Sequence, residues 1–101
     1  MKGSVIEVIL CKLAEHSDEA ILLQTVMELE SVLKQTPGYI KRELSRNDNG
    51  QWIDIIHWQN LEQALAAPDS VMATEVRQRF GGMIALEGLS MIHVESVYTS
   101  E

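Results

Sequence analysis

The sequence has little cationic charge and a single cysteine. Eight Lys and Arg residues stand against 15 Asp and Glu, which gives a formal net charge of -7. Only Lys41 and Arg42 are adjacent, and binding to phosphate groups requires clustered cations. Nucleic acid and anionic membrane surfaces are therefore not expected as partners. Cys11 has no second cysteine with which to form an intrachain disulfide, and its apolar surroundings in the sequence predict a buried, inert thiol.

Long hydrophobic runs and targeting signals are also missing. No apolar stretch approaches the ~20 residues that a membrane-spanning helix needs, and the first residues lack the apolar region and cleavage site of a secretory signal. Together with the lone cysteine, these absences predict a cytoplasmic location. The 101 residues, 46% of them hydrophobic, suffice for one hydrophobic core. We therefore expect a single domain over residues 1–101.

The first part of the chain predicts a strand followed by a helix. Val5–Leu13 is apolar at nearly every position, which is typical of a strand covered on both faces. Ser17 is placed to cap the helix, and Pro37 with Gly38 is expected to end it. The apolar stripe of this helix consists of Leu22, Val26, Leu29 and Leu33.

The rest of the chain predicts a hairpin, a second helical region and a final strand. Residues 39–46 and 51–58 are strand-like and are separated by Asn, Asp, Asn and Gly, which favour a tight reversal. Asn60 is expected to cap the second helix, which should break or restart at Pro68. The helical pattern then continues through the glycines at 81 and 82 to an exit at Gly88, and residues 90–99 form the last strand.

This order of elements predicts an α+β fold of the ferredoxin-like βαββαβ type, with a four-stranded antiparallel sheet and the helices on one face. Val5–Leu13 and residues 51–58 both carry apolar side chains on their two faces. Since the helices cover only one face, the other is expected to be buried against a second copy of the chain. The prediction is a homodimer in which two sheets form a dimeric α/β barrel.

The run from Trp52 to Ala67, Trp-Ile-Asp-Ile-Ile-His-Trp-Gln-Asn-Leu-Glu-Gln-Ala-Leu-Ala-Ala, resembles the third strand and second helix of the antibiotic biosynthesis monooxygenase family. That family belongs to the dimeric α/β barrels. The Pro-Gly-Tyr turn at 37–39, the Asn-Gly hairpin and the terminal strand also stand where such proteins have them. The resemblance covers nearly the whole chain and is specific for the fold, whereas the group includes many different activities.

The resemblance implies a pocket between the sheet and its own helices, and an oxygenase that acts on small aromatic or quinol-like compounds without a cofactor. Asp54 and Trp58 match the positions of the polar site residue and the tryptophan of the family oxygenases. Haem-degrading relatives need a histidine early in the second helix, and this sequence has Ala67 and Pro68 in that region. The resemblance therefore implies no haem site, and we expect no cofactor.

Asp54 is the candidate catalytic residue, because oxygen chemistry without a cofactor requires a base that deprotonates the substrate. Burial beside Trp52 and Trp58 could tune this carboxylate for that task. The alternative is that Asp54 pairs with a neighbouring strand and that the tryptophans only fill the core. The predicted ligand-binding residues are Trp58, Trp52, Met72 and His93, although methionine and histidine at such positions often have purely structural roles.

The remaining titratable residues give weaker signals. Glu7 and Glu95 interrupt apolar strands, so they either line the polar end of a pocket or form salt links to Lys12, Lys41 or Arg42 at the sheet margin. His57 should point away from Trp58, toward the subunit interface. No spacing typical of metal ligands is present, and no metal is expected. Besides an oxygenase, the sequence is consistent with a non-catalytic module for a small apolar ligand, or with an interaction partner whose cavity is filled.

Overall fold

The structure is a computed structural model that describes residues 4–71 and 74–100, the side chains at 69 and 70 excepted. Its elements are β1 (Val5–Leu13), α1 (Glu19–Lys34), β2 (Tyr39–Arg46), β3 (Gln51–Trp58), α2 (Leu61–Val71), α3 (Glu75–Gly82) and β4 (Ile84–Glu95). The four strands form one antiparallel sheet in the order β2-β3-β1-β4. This is the predicted ferredoxin-like α+β arrangement.

The register of the two central strands decides which side chains face the helices. Val5 lies opposite Trp58 and Cys11 lies opposite Trp52. Odd-numbered residues of β1 and even-numbered residues of β3 therefore share one face, since side chains alternate along a strand. The hydrophobic core forms between this face and the helices, and it consists of Val5, Cys11, Leu22, Leu29, Leu33, Trp52, Ile56, Trp58, Ala64, Ala67, Val71 and Phe80.

Helix α1 begins one residue later than the sequence pattern indicates. Asp18, and not Ser17, is the N-cap: its Oδ1 accepts hydrogen bonds from the backbone N–H groups of Ala20 and Ile21, at 2.8 and 3.3 Å. An anionic acceptor suits the positive end of the helix dipole better than a hydroxyl. On the buried side, Thr25 is more completely enclosed than Val26, and its hydroxyl is satisfied there because it donates to the carbonyl of Ile21 at 2.8 Å.

Pro68 does not break α2, which corrects the expectation from its position. The helix continues to Val71, and α3 then starts after an N-cap at Thr74. A proline inside a helix removes one hydrogen bond and costs about 3 kcal/mol. Burial of Ala64, Ala67 and Val71 on the same helix offsets that local cost.

The helical region also ends earlier than Gly88. Helix α3 stops at Gly82, and β4 begins at Ile84. Gly88 has a φ of +82° inside β4, in the stretch where the pairing between β1 and β4 shifts register. Glycine is favoured there because a bulge of this kind needs a left-handed backbone. Strand β4 ends at Glu95, so the expected strand over 90–99 is displaced toward the amino terminus.

The sheet face opposite the helices is open in the single chain. Alternation along the strands places seven aliphatic residues on it: Ile6, Val8, Leu10, Ile53, Ile55, Ile92 and Val94. Ile92 is 53% exposed and Val94 is 40% exposed. We define these seven residues as the open sheet face.

The turn at Gly38 gives a test of the close packing between β2 and α2. Gly38 has a φ of +87°, and a Cβ there would lie 2.6 Å from the Cβ of Gln63, whereas Gly50 has a φ of +80° and free space around it. We expect Gly50→Ala to lower the free energy of unfolding by about 1 kcal/mol through backbone strain alone. Gly38→Ala should cost about 2–4 kcal/mol, since overpacking adds to that strain. Urea denaturation measures both, and equal losses would contradict the packing argument.

Candidate functional site

A cavity of about 300 Å³ lies between the helix-covered face of the sheet and the three helices. Its lining is mainly apolar and consists of Glu7, Ile9, Leu29, Leu33, Arg42, Asp54, Ile56, Trp58, Ala64, Ala67, Pro68, Val71, Arg77, Phe80 and Met91. Four charged side chains, two acidic and two basic, converge on this apolar enclosure. A mostly apolar cavity with a few polar groups at fixed positions is the usual form of a small-molecule site, and this volume lies at the lower end of the range for such sites.

Asp54 is bound on both carboxylate oxygens by Arg42. The Nε of Arg42 donates to Oδ1 at 2.8 Å and its Nη2 donates to Oδ2 at 2.5 Å. The side chain of Arg42 is 5% exposed and that of Asp54 is 2% exposed. Arg42 reaches Asp54 because β2 pairs with β3, with Leu44 directly opposite Asp54 and Arg42 two residues further along the same face. The structure therefore shows the alternative reading of the sequence, in which Asp54 pairs with a residue of the neighbouring strand.

The ion pair fixes the charge of Arg42 in the cavity wall. Burial by itself lowers the pKa of the Arg42 guanidinium, but the hydrogen bonds and negative charge of Asp54 outweigh burial and raise it. The remaining nitrogen, Nη1, is buried and has no hydrogen-bond partner among the residues that the structure describes. Arg42 is thus a permanent cation with unused donor capacity beside the cavity.

A second guanidinium lies close to the first. The central carbon of Arg42 lies over the ring of Phe80, 5.3 Å from its centroid, and that of Arg77 lies over the same ring at 5.4 Å. Burial, and then the positive charge of Arg42, lower the pKa of Arg77. This side of the cavity is cationic, and the ring of Phe80 partly compensates both charges.

A second polar contact in the cavity wall joins Glu7 and Trp58. The Nε1 of Trp58 donates to Oε1 of Glu7 at 3.0 Å, and Nε2 of His93 lies 3.8 Å from the same oxygen, which is too long for a hydrogen bond. Of the two alternatives for Glu7, the structure shows the lining of a pocket, and among the described residues Glu7 forms no salt link to Lys12, Lys41 or Arg42. The ring of Trp58 is held from behind by Tyr39, edge to face at 5.9 Å, so it forms a rigid wall.

The other predicted site residues lie in different places. Trp52 is buried outside the cavity lining, with Arg46 over its ring at 5.5 Å. His93 lines a second, more polar depression with Val5, Leu61, Val94 and Glu95. Met72 lies outside the described residues. His57 points to the open sheet face, where burial and then the charge of Lys41 lower its pKa.

Sequence reasoning missed Arg77, and it took Arg42 only as a possible salt-link partner. The i, i+3 spacing of Arg77 and Phe80 on α3 was the available signal, because it places both side chains on one side of the helix. Cys11 is buried as expected, and burial followed by the charge of Asp54 raises the pKa of its thiol. Within residues 4–71 and 74–100, no three His, Cys, Asp or Glu side chains are grouped as metal ligands.

The chain has the ferredoxin-like α+β fold of the antibiotic biosynthesis monooxygenase type, as the resemblance implied. No protein-family model and no curated protein matches the sequence. In the part of the chain that the structure describes, no helix is long and apolar enough to cross a membrane.

Solved structures carry this assignment of the fold. The chain is similar to a candidate antibiotic biosynthesis monooxygenase from Bordetella bronchiseptica, with a TM-score of 0.79 and 17% identity over 96% of this chain and 100% of that one. It is also similar to a point mutant of SnoaB, a cofactor-independent oxygenase from Streptomyces nogalater, with a TM-score of 0.77 and 12% identity over 95% of both chains. A candidate antibiotic biosynthesis monooxygenase from Nitrosomonas europaea has a TM-score of 0.73 and 8% identity, over 100% of this chain and 97% of that one.

The buried ion pair gives a second test. We expect Arg42→Met and Asp54→Leu each to lower the free energy of unfolding by about 3–5 kcal/mol, because each leaves an uncompensated buried charge. The free energy of unfolding of the double variant should fall by much less than the sum of the two single losses, since the double variant leaves no charge unpaired. Chemical denaturation of all four proteins measures the coupling, and additive losses would show that the two side chains do not depend on each other.

Proposed function

We propose that the protein is a cofactor-independent, monooxygenase-like enzyme that acts on a small aromatic or quinol-like compound. The observation that carries this proposal is the apolar cavity of about 300 Å³ with four charged side chains in its wall, in a fold that it shares with a cofactor-independent oxygenase. The volume suits a ligand of one or two fused rings. Trp58 and Phe80 line the cavity and provide aromatic contacts for such a ligand.

The charges in the cavity fit chemistry in which the substrate itself supplies the electrons. Molecular oxygen accepts an electron more readily from an aryloxide anion than from the neutral aromatic hydroxyl compound. The hydroxyl group of the substrate must therefore lose its proton first. The guanidinium groups of Arg42 and Arg77 lie where they favour the anionic form of a bound compound. The sequence predicted Asp54 as the base of the site; we instead propose that it positions Arg42 through the two hydrogen bonds.

A non-catalytic module for a small apolar ligand is the second candidate. The specific observation in its favour is that both oxygens of Asp54 accept hydrogen bonds from Arg42, as they would if this carboxylate had only a structural role. The same cavity and the same aromatic walls would serve for binding alone.

Oxygen consumption with 1-naphthol separates the two candidates. The expected reaction consumes one O2 per naphthol and yields 1,4-naphthoquinone and water, which oxygen electrodes and isotope-labelled O2 can follow. We expect Asp54→Asn to lower the turnover rate by about 100-fold, because Arg42 loses its fixed position. Binding of 1-naphthol, measured by calorimetry, should change little. Binding without oxygen consumption by the unmodified protein would instead establish the ligand-binding module.

We further propose that the chain works as a cytoplasmic homodimer joined through the open sheet face. The seven aliphatic residues of that face support this proposal, because so large an apolar patch is rarely left in water. The lone buried Cys11 suits a reducing compartment.

Charge placed on the open sheet face tests the dimer. Sedimentation should give twice the 11.4 kDa of one chain for the unmodified protein. Ile92→Glu should sediment as a monomer, because a buried unpaired carboxylate is costly. Met27→Glu is the matched control, since Met27 is 74% exposed on α1, away from the sheet, and this variant should remain a dimer. An unmodified protein that sediments as a monomer would refute the proposal.

A further inference from the structure

Glu7 is a partly buried carboxylate in the cavity wall that the proposed roles of Asp54 and Arg42 do not use. It lies on the central strand β1, faces the helices, and has a side chain only 13% exposed. Its Oε1 accepts the hydrogen bond from Trp58, while its Oε2 has no hydrogen-bond donor among the described residues. A carboxylate oxygen that carries no hydrogen bond in the wall of a mainly apolar cavity is available as an acceptor for a ligand.

The two carboxylates of the cavity differ in their free capacity. Arg42 donates a hydrogen bond to each oxygen of Asp54, whereas on Glu7 only Oε1 accepts one from the described residues. Glu7 keeps one oxygen available, and the indole N–H of Trp58 fixes its orientation. A general base must present a free oxygen within hydrogen-bond reach of the proton that it removes. Of the two, Glu7 meets this requirement.

We propose that Glu7 accepts the hydroxyl proton of the bound compound and is the catalytic base of the site. This inference rests on the proposed function and narrows the substrate class to aromatic compounds with an ionisable hydroxyl group. The rings lie against Trp58, the hydroxyl faces Oε2 of Glu7, and the guanidinium groups of Arg42 and Arg77 balance the negative charge that develops.

With 1-naphthol the reaction begins at the hydroxyl group. The O–H bond breaks and its proton passes to Glu7. The naphtholate gives one electron to O2, and the two radicals combine in a C–O bond at the ring carbon opposite the hydroxyl-bearing carbon. The resulting peroxide anion takes the proton back from Glu7, which gives a hydroperoxide and restores the base. The ring hydrogen at that carbon is then lost as a proton while the O–O bond breaks, and this proton combines with the departing hydroxide to give water. The other oxygen stays as the second carbonyl of the quinone.

Charged groups from four elements lie near Glu7 or share the cavity wall with it. His93 on β4 lies 3.8 Å from Oε1, Arg77 contributes its charge from α3, and Arg42 and Asp54 lie on β2 and β3. A pH profile of turnover therefore contains several groups. The contribution of Glu7 to the pH profile is therefore identified by a variant that lacks the Glu7 carboxylate.

Binding tests the hydroxyl acceptor without reference to turnover. 1-Naphthol donates a hydrogen bond, whereas 1-methoxynaphthalene has the same rings and no donor. We expect the unmodified protein to bind 1-naphthol at least about tenfold more tightly in calorimetry, since a buried hydrogen bond to a carboxylate is among the stronger ones. Glu7→Met should bind both compounds equally. Equal affinities in the unmodified protein would overturn the proposal.

Turnover of 1-naphthol tests the base. Glu7→Gln keeps an acceptor for Trp58 but cannot take a proton, so kcat should fall by about 100-fold or more while KM changes little. The dependence of turnover on pH should change as well. Glu62→Gln is the matched control, because Glu62 is exposed in the first turn of α2, and it should keep the full rate and profile.

The outcomes distinguish this inference from the proposed function. A Glu7→Gln variant with the full rate and an unchanged pH profile would overturn the role of Glu7 as base. Oxygen consumption absent from the unmodified protein, together with a preference for 1-naphthol that Glu7→Met abolishes, would refute the oxygenase and leave Glu7 as the hydroxyl acceptor of a binding site.

Discussion

The paired guanidinium and carboxylate of Arg42 and Asp54 organise the interior of this protein. An ion pair so far from water persists only when its geometry is good, and here two parallel hydrogen bonds meet that condition. The pair ties β2 to β3 by their side chains as well as by their backbones. It also holds a guanidinium against Phe80, so that the wall of the cavity is charged on a surface that would otherwise be apolar.

The cavity is asymmetric as a result. One side carries two guanidinium groups against an aromatic ring, and another carries a carboxylate held by the indole of Trp58. A ligand in this space meets a hydrogen-bond acceptor and a positive field at different points, which fixes its orientation as well as its affinity. The strands supply most of these groups, and strands position side chains more rigidly than loops do.

The local pattern of residues was sufficient for the fold. The hairpin over residues 39–58 appears with the expected bounds, because its turn residues and its strand residues favour the same structure. The errors fall where long-range packing competes with local preference. Pro68 stays inside α2 because buried alanines hold that helix in place, and Gly88 serves a bulge in β4 and not the end of a helix.

The candidate site was only partly predictable. Alternation along β3 placed Asp54, Trp58 and Trp52 on one face, and that was correct, because period-two geometry is a local property of the strand. Which of them reach the cavity depends on the depth of the helices over the sheet. Trp58 and Asp54 do reach it, whereas Trp52 lies beyond its edge.

The sequence by itself determined the order of strands and helices, the two apolar faces of the central strands and the positions of the turns, since all of these follow from the periodicity and chemistry of neighbouring residues. Only the tertiary structure decided which charged and polar side chains meet. Arg42 and Asp54 are 12 residues apart, and Glu7 and Trp58 are 51 apart. Contacts at such separations depend on strand register, and a shift of one residue would turn every one of these side chains to the opposite face of the sheet.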